Sequence, residues 1–332
     1  MTRLNGLLAM VLLLAAGVSL LAGPVWVNPL ALSQDGRVAA ILIELRLPRV
    51  LLAVAVGSGL GAAGAAMQAY LRNPLADPGL FGIAPSAALG AVGAIWLGAA
   101  GVPVGPWGVP VLALIGAGGA MALLGLIAAR GGAILFTLAG MMIASLSGAL
   151  TSLAISLSPS PFALSEIVAW LMGALADRSW TDVWVALPLS LLGTACFVLV
   201  ARDLDAMSLG MAAARSLGVE PRRLQALLVL GVGLSVGGSV AVAGIIGFVG
   251  LVVPHLLRPL TDRRPSSLIL PSALGGALLL VVADSLCRLW PLAGGELRLG
   301  IALSLLGAPF FLTLLWRMRA RGLQAGATGG WI

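Results

Sequence analysis

Lysine is absent from the 332 residues, so all nineteen basic side chains are arginine. A Walker-type phosphate loop needs its lysine, and so does a Schiff base, which excludes ATP hydrolysis by that route and imine catalysis. Histidine occurs once, at His255, and cysteine twice, at Cys196 and Cys287. Both cysteines fall in apolar runs and read as buried apolar residues rather than a disulfide. No nitrogen or sulfur metal site of recognisable spacing can be assembled from this set; any metal in a substrate arrives already chelated. Charge is scarce too, at 9% of residues, against about a quarter in a soluble domain. No cluster of acids, bases and nucleophiles stands out, so no catalytic residue is assigned.

What fills the chain is apolar: 60% of residues are hydrophobic and the mean hydropathy is +1.09. Runs of about 18 or more apolar residues are the mark of transmembrane helices. The pattern predicts an all-α polytopic membrane protein with about ten spans, near 4–22, 48–70, 82–100, 108–128, 133–156, 181–200, 224–241, 244–258, 268–289 and 299–317. A short extra helix is expected between Pro161 and Gly173. The first span lacks a small-residue cleavage site and reads as a retained helix rather than a signal peptide. Thirteen arginines fall in one set of loops and six in the other. By the positive-inside rule both termini face the cytoplasm. That distribution also accounts for the pI near 11.3 without nucleic acid. An inverted repeat would divide the chain at 1–156 and 157–332.

Glycine is abundant, at 45 residues. Gly57-x-x-x-Gly61 has the spacing that lets helix backbones approach closely in lipid. Gly59-x-Gly61-x-x-Gly64 formally matches a dinucleotide fingerprint, but it lies inside a span with no preceding strand, and packing is the reading adopted.

Few polar residues lie within the spans. Asp284 and Arg288 share a helix face at i,i+4, where a charge pair is tolerated; external docking is the rival role for Arg288. "RNPLADPGLFG" (Arg72 to Gly82) cannot be one helix, because proline lacks the amide donor, and is a tight loop or a re-entrant turn bordering a pathway. His255 reads as an interfacial hydrogen-bonding residue. Trp170, Trp180 and Trp184 suit an outer aromatic belt. In "ELRLPRV", Arg46 and Arg49 stand on the outer side against the charge bias, as solvated loop residues or as contacts to an acidic partner. Between two apolar runs lies the basic stretch "SLGMAAARSLGVEPRR", Ser208 to Arg223.

Four segments carry a resemblance: "RLPRVLLAVAVGSGLGAAGAAMQAYLRNPLADPGLFGI", "SLGMAAARSLGV", "AGIIGFVGLVVPHLLRPL" and "GELRLGIALSLLGAPFFLTLLWR". From about Leu4 to Arg319 the chain resembles the permease subunits of ABC importers for iron-siderophores, haem and cobalamin. The resemblance implies a homodimer in the bacterial inner membrane, surrounded by membrane lipid. Its partners are two cytoplasmic ATPase subunits, which use ATP and Mg, and a periplasmic or lipid-anchored binding protein; this chain binds no cofactor. Segment 203–221 resembles the coupling helix that seats on the ATPase, through Ser208, Leu209, Gly210, Met211, Arg215, Leu217 and Gly218. Met211 departs from the glutamate that is common there. Arg46, Arg49 and Arg288 match arginines that dock the binding protein, and Asn73 and Leu75 match a cytoplasmic gate. Pathway lining is expected from Met141, Met142, Ser145, Glu166, Trp170 and Arg178. The implied function is alternating-access import of a ferric siderophore, haem or cobalamin. The alternatives are an ion-coupled secondary transporter, for which buried carboxylates are too few, and a lipid-acting membrane enzyme, for which no constellation exists.

Overall fold

A computed structural model describes residues 2–23, 26–27, 36–128, 132–292 and 295–328. Its helices in chain order are α1 (Thr2–Leu21), α2 (Gly36–Tyr70), α3 (Ile83–Ala99), α4 (Gly108–Ala128), α5 (Gly132–Ser156), α6 (Pro161–Leu171) and α7 (Trp180–Leu199). There follow α8 (Ala201–Met207), α9 (Met211–Ser216), α10 (Pro221–Ala243), α11 (Val249–Leu257), α12 (Pro265–Leu289) and α13 (Leu299–Thr328). A two-strand hairpin, β1 (Pro291–Leu292) against β2 (Gly295–Glu296), joins α12 to α13. Among the described residues eight helices are long and apolar enough to cross a membrane, and α3 and the α11 region are shorter apolar helices. Together they occupy the ten expected spans, and α6 is the expected short helix.

Helix α2 is the hub. It is buried along nearly its whole length from Leu52 to Tyr70 and packs against α7, α11 and α12. Its glycines make this contact possible. A Cβ on Gly57 would strike the Gly276 carbonyl, one on Gly61 the Ser272 carbonyl, and one on Gly64 the Gly250 carbonyl. Without side chains between them the backbones of α2 and α12 touch, which is how helices associate in lipid without a hydrophobic driving force. The Gly59-x-Gly61-x-x-Gly64 match is therefore packing inside one helix.

Helix α2 starts at Gly36, twelve residues before the expected position 48. The obstacle is Pro48, which has no N–H to give the preceding turn. The turn before it, Ile41–Arg46, widens to a π-helix, and the Ile43 carbonyl accepts a hydrogen bond from Trp180 Nε1 at 3.1 Å. The helix thus continues across the proline.

Between α10 and α11 the chain unwinds over Gly244–Gly247, with Gly244 at φ +71 and Phe248 at φ +66. Backbone that leaves a helix at membrane depth must find partners within the protein. Here the Ala174 N–H donates to the Ala243 carbonyl at 2.8 Å, in the loop after α6. The Gly300 N–H, at the start of α13, donates to the Gly173 carbonyl at 3.1 Å. Gly173, itself at φ +69, lies so close to the Ile245 carbonyl that a Cβ there would collide with it.

Candidate functional site

The polar features collect at three levels. At the end of the molecule that carries α8 and α9, the basic stretch of the sequence forms the turn after α8, the short helix α9 and the first turn of α10. Gly210, at φ +103, permits the turn into α9, and Gly218, at φ +88, the turn out of it. Leu204, Met207, Ala214 and Val219 bury one side of the pair. The other side is open: Leu209 is 69% and Leu217 64% exposed, and Ser208 and Arg215 are exposed beside them. Met211 is half-buried. Two bare leucines beside the exposed Arg215 form an apolar knob on this pair. Its anchor is Asp205, whose carboxylate accepts from the Ser266 N–H at 2.8 Å and from Ser266 Oγ at 2.6 Å, tying α8 to the first turn of α12.

Next to it lies the turn after α2. Arg72 adopts φ +48, Asn73 Oδ1 accepts from the Leu75 N–H at 3.0 Å, and Asp77 Oδ1 accepts from the Gly79 N–H at 2.7 Å. This is a structured Asx turn leading into a 3-10 turn, Pro78–Leu80. Leu75 and Asp77 line a cavity of about 350 Å³, closed elsewhere by Leu60, Val240, Phe248 and Phe311. Asn73 is exposed and lies outside the cavity lining. Burial pushes the Asp77 carboxyl above the ordinary carboxylate range, and the Gly79 N–H offsets part of that rise. Behind the turn, Gln68 donates from Nε2 to the Gly250 carbonyl at 3.2 Å and accepts at Oε1 from Arg258 Nη2 at 2.8 Å. His255 Nδ1 has no hydrogen-bond partner among the described residues, and its ring packs edge-on against Phe310, ring centres 5.9 Å apart.

At the opposite end five charged residues converge. Arg49 Nε donates to both oxygens of Asp284 at 3.0 Å, and its Nη2 reaches Glu296 Oε2 on β2 at 2.6 Å. Arg288 lies 3.3 Å from Asp284 as an ion pair, confirming the i,i+4 pairing. Arg288 also donates to the Ala22 carbonyl at 3.3 Å and to Ser19. Arg46 Nη1 donates to the Leu20 and Leu21 carbonyls at 2.8 and 2.7 Å. Two arginines thus satisfy the last carbonyls of α1, where a helix leaves its acceptors unpaired and its dipole favours cations. The side chains of Arg46, Arg49 and Arg288, the arginines expected to dock a binding protein, all turn inward. A desolvated guanidinium has to be paired, and Asp284, Glu296 and the end of α1 supply the partners internally.

Of the expected pathway residues, Met141, Met142 and Ser145 share an exposed face of α5, and Glu166 is exposed on α6. Trp170 is half-buried between α6 and the core. Arg178 lies apart from these, in the loop before α7. Burial pushes its guanidinium below its ordinary value, Asp182 and Asp177 draw it back up, and Arg298 adds to the fall. Among the described residues its Nε has no hydrogen-bond partner.

The sequence matches the FecCD transport family over residues 7–317. Among curated relatives, the vitamin B12 import system permease protein BtuC of Klebsiella pneumoniae is 38% identical over 95% of this chain and 94% of its own length. The Fe(3+) dicitrate transport system permease protein FecD of Escherichia coli is 40% identical over 84% and 86%. An uncharacterized ABC transporter permease protein of Bacillus subtilis, YvrB, is 39% identical over 87% and 82%. A solved structure described as an inward-facing conformation of a metal-chelate type ABC transporter superposes with TM-score 0.86 at 30% identity, covering 96% of this chain and 100% of that one. With spans, breaks and loops matched along nearly its whole length, the chain belongs to the FecCD transport family.

Proposed function

We infer that this chain is the permease subunit of an ABC importer that carries a bulky metal chelate, either a ferric siderophore, haem or cobalamin, across the bacterial inner membrane. The observation that carries the reading is the pair α8–α9. It presents two bare leucines to the aqueous side while Asp205 fastens it to a membrane-crossing helix, so a force applied at the knob reaches α12 directly. The ATPase that applies it is a separate subunit using ATP and Mg, in keeping with a chain that has no lysine. The residues in contact are Ser208, Leu209, Gly210, Met211, Arg215, Leu217 and Gly218, and both termini lie on that side.

Two copies of the chain meet along the exposed faces of α5 and α13, which present Met141, Met142, Leu305 and Leu306, and the pathway runs between them. Asn73 and Leu75 close it on the cytoplasmic side. A binding protein delivers the chelate at the opposite end, over the hairpin that carries Glu296.

Co-purification tests the motor. The native complex in mild detergent should contain two permeases and two Walker-motif ATPases, and Leu209→Asp with Leu217→Asp should abolish ATPase retention while leaving the permease folded, because both leucines are exposed. Uptake in ATP-free vesicles driven by an ion gradient alone would refute the reading.

A further inference from the structure

Helices α4 and α10 run antiparallel and in contact, yet they leave a groove of about 460 Å³ between them. One wall is α4, with Gly118, Met121 and Gly125; the other is α10, with Arg222, Gln225 and Leu230. Among the described residues nothing fills it. A Cβ built on Gly118 or Gly125 would meet no atom within 4 Å, unlike one on Gly116 of the same helix, which would strike the Ser86 carbonyl. These two glycines are therefore not required for helix packing; they hollow out a surface channel.

The channel has two chemically distinct ends. From Gly118 to Gly125 is seven residues, about 10 Å of helix rise, and over that length the lining is apolar up to Leu230. At the other end, Arg222 stands exposed in the first turn of α10 with Arg223 beside it. Among the described residues neither has an ion-pair partner. The first-turn N–H groups of α10 add positive potential there. Below Arg222 sits Gln225, only 8% exposed, with its Nε2 shielded from solvent and lacking any hydrogen-bond partner among the described residues. A buried donor left unpaired is costly, so a groove lined by one is short of an acceptor.

We propose that this groove binds an anionic glycerophospholipid from the leaflet on the α8–α9 side, with one acyl chain along Gly118–Gly125 and the headgroup phosphate at Arg222 and Gln225. The charge and the depth agree: cations at the interface level, a hydrocarbon-wide channel below. Basic pockets between transmembrane helices are a recurrent setting for acidic headgroups. Its lining residues differ from those of the α8–α9 knob and from the α5 and α13 faces assigned above to the pathway, so the site holds whichever chelate is carried.

Native mass spectrometry of the full chain in detergent tests it, with phosphatidylglycerol and phosphatidylcholine of matched acyl chains as probes. Phosphatidylglycerol should be retained at one copy per chain, roughly ten-fold more tightly than phosphatidylcholine, a ratio set by one charge-assisted contact. Arg222→Gln should remove that preference, and Gln225→Leu should weaken retention of phosphatidylglycerol. Gly125→Leu should abolish retention while melting temperature and elution volume stay unchanged, because its side chain enters open space. Glycerol 3-phosphate should not compete, since it lacks the acyl chain. Equal retention of the two lipids, an unaltered preference in Arg222→Gln, competition by glycerol 3-phosphate, or disulfide-linked chains from Gly118→Cys, which would put a second copy in the groove, each overturns the proposal.

Discussion

Asp205 and Ser266 join the short helix α8 to the membrane-length helix α12 by two hydrogen bonds, 2.8 Å from the serine N–H and 2.6 Å from its Oγ. The carboxylate acts at once as the side-chain anchor of α8 and as a partner for a first-turn amide of α12, which has no acceptor within its own helix. Hydrogen bonds to charged groups contribute about 1.5–3 kcal/mol. Asp205→Ala should therefore loosen the knob without removing its docking surface. ATPase should still co-purify, but transport per ATP hydrolysed should fall several-fold. Unchanged coupling in a reconstituted uptake assay would show that force reaches the membrane by another route.

The ionic cluster at the other end separates two roles for its arginines. Removing one partner of a buried pair strands the other charge, at about 3–5 kcal/mol. Asp284→Asn, which leaves Arg49 and Arg288 poorly compensated, should lower the thermal midpoint of the detergent-solubilised permease substantially. Arg46→Gln should lower it too, by exposing the Leu20 and Leu21 carbonyls. If Arg46→Gln instead weakened capture of the binding protein while the midpoint held, the side chain would be serving the outer surface after all.

Asp77 makes a prediction about pH. Its folded-state carboxyl lies above the unfolded value, because burial disfavours the charged form. Between those two values the folded chain holds a proton that the unfolded chain has released. Stability is greatest below the unfolded value, about 3.9, and falls as pH rises through the window up to the raised folded value. Asp77→Asn keeps an acceptor for the Gly79 N–H and removes the titration. Melting curves from pH 4 to 7 should decline less for this variant than for the parent; parallel curves would mean that Asp77 is solvated in solution.

Much of this was legible from local pattern. The ten spans follow from hydropathy runs, the turn at Arg72–Gly82 from two prolines, and segment 203–221 stands out through its resemblance to a coupling helix. Gly57 and Gly61 announce a close helix contact, though not its partner. What local pattern does not carry is pairing across the chain. Gln68 meets Arg258 190 residues away, and Arg46 folds back on Leu21, 25 residues upstream, through a segment that reads as a loop. An arginine near a span end looks the same in sequence whether it snorkels to water, meets a partner or closes another helix; only the fold decides. The continuation of α2 through Pro48 likewise depends on a widened turn and on Trp180, far along the chain.

The backbone contact between α2 and α12 restricts how this protein can move. A helix pair separated by side chains can slip to a new seat one turn away, about 5.4 Å. Here a four-residue slip would bring Ala53 or Ala65 against a carbonyl that Gly57 or Gly61 now touches, and Leu60 or Gln68 against the Gly250 carbonyl of α11 that Gly64 now touches. These three helices can travel only as one stiff body. Whatever opens and closes the protein must hinge around that spine, in the unwound stretch at Gly244–Gly247 and in the outward-facing helices whose surfaces are not locked to it.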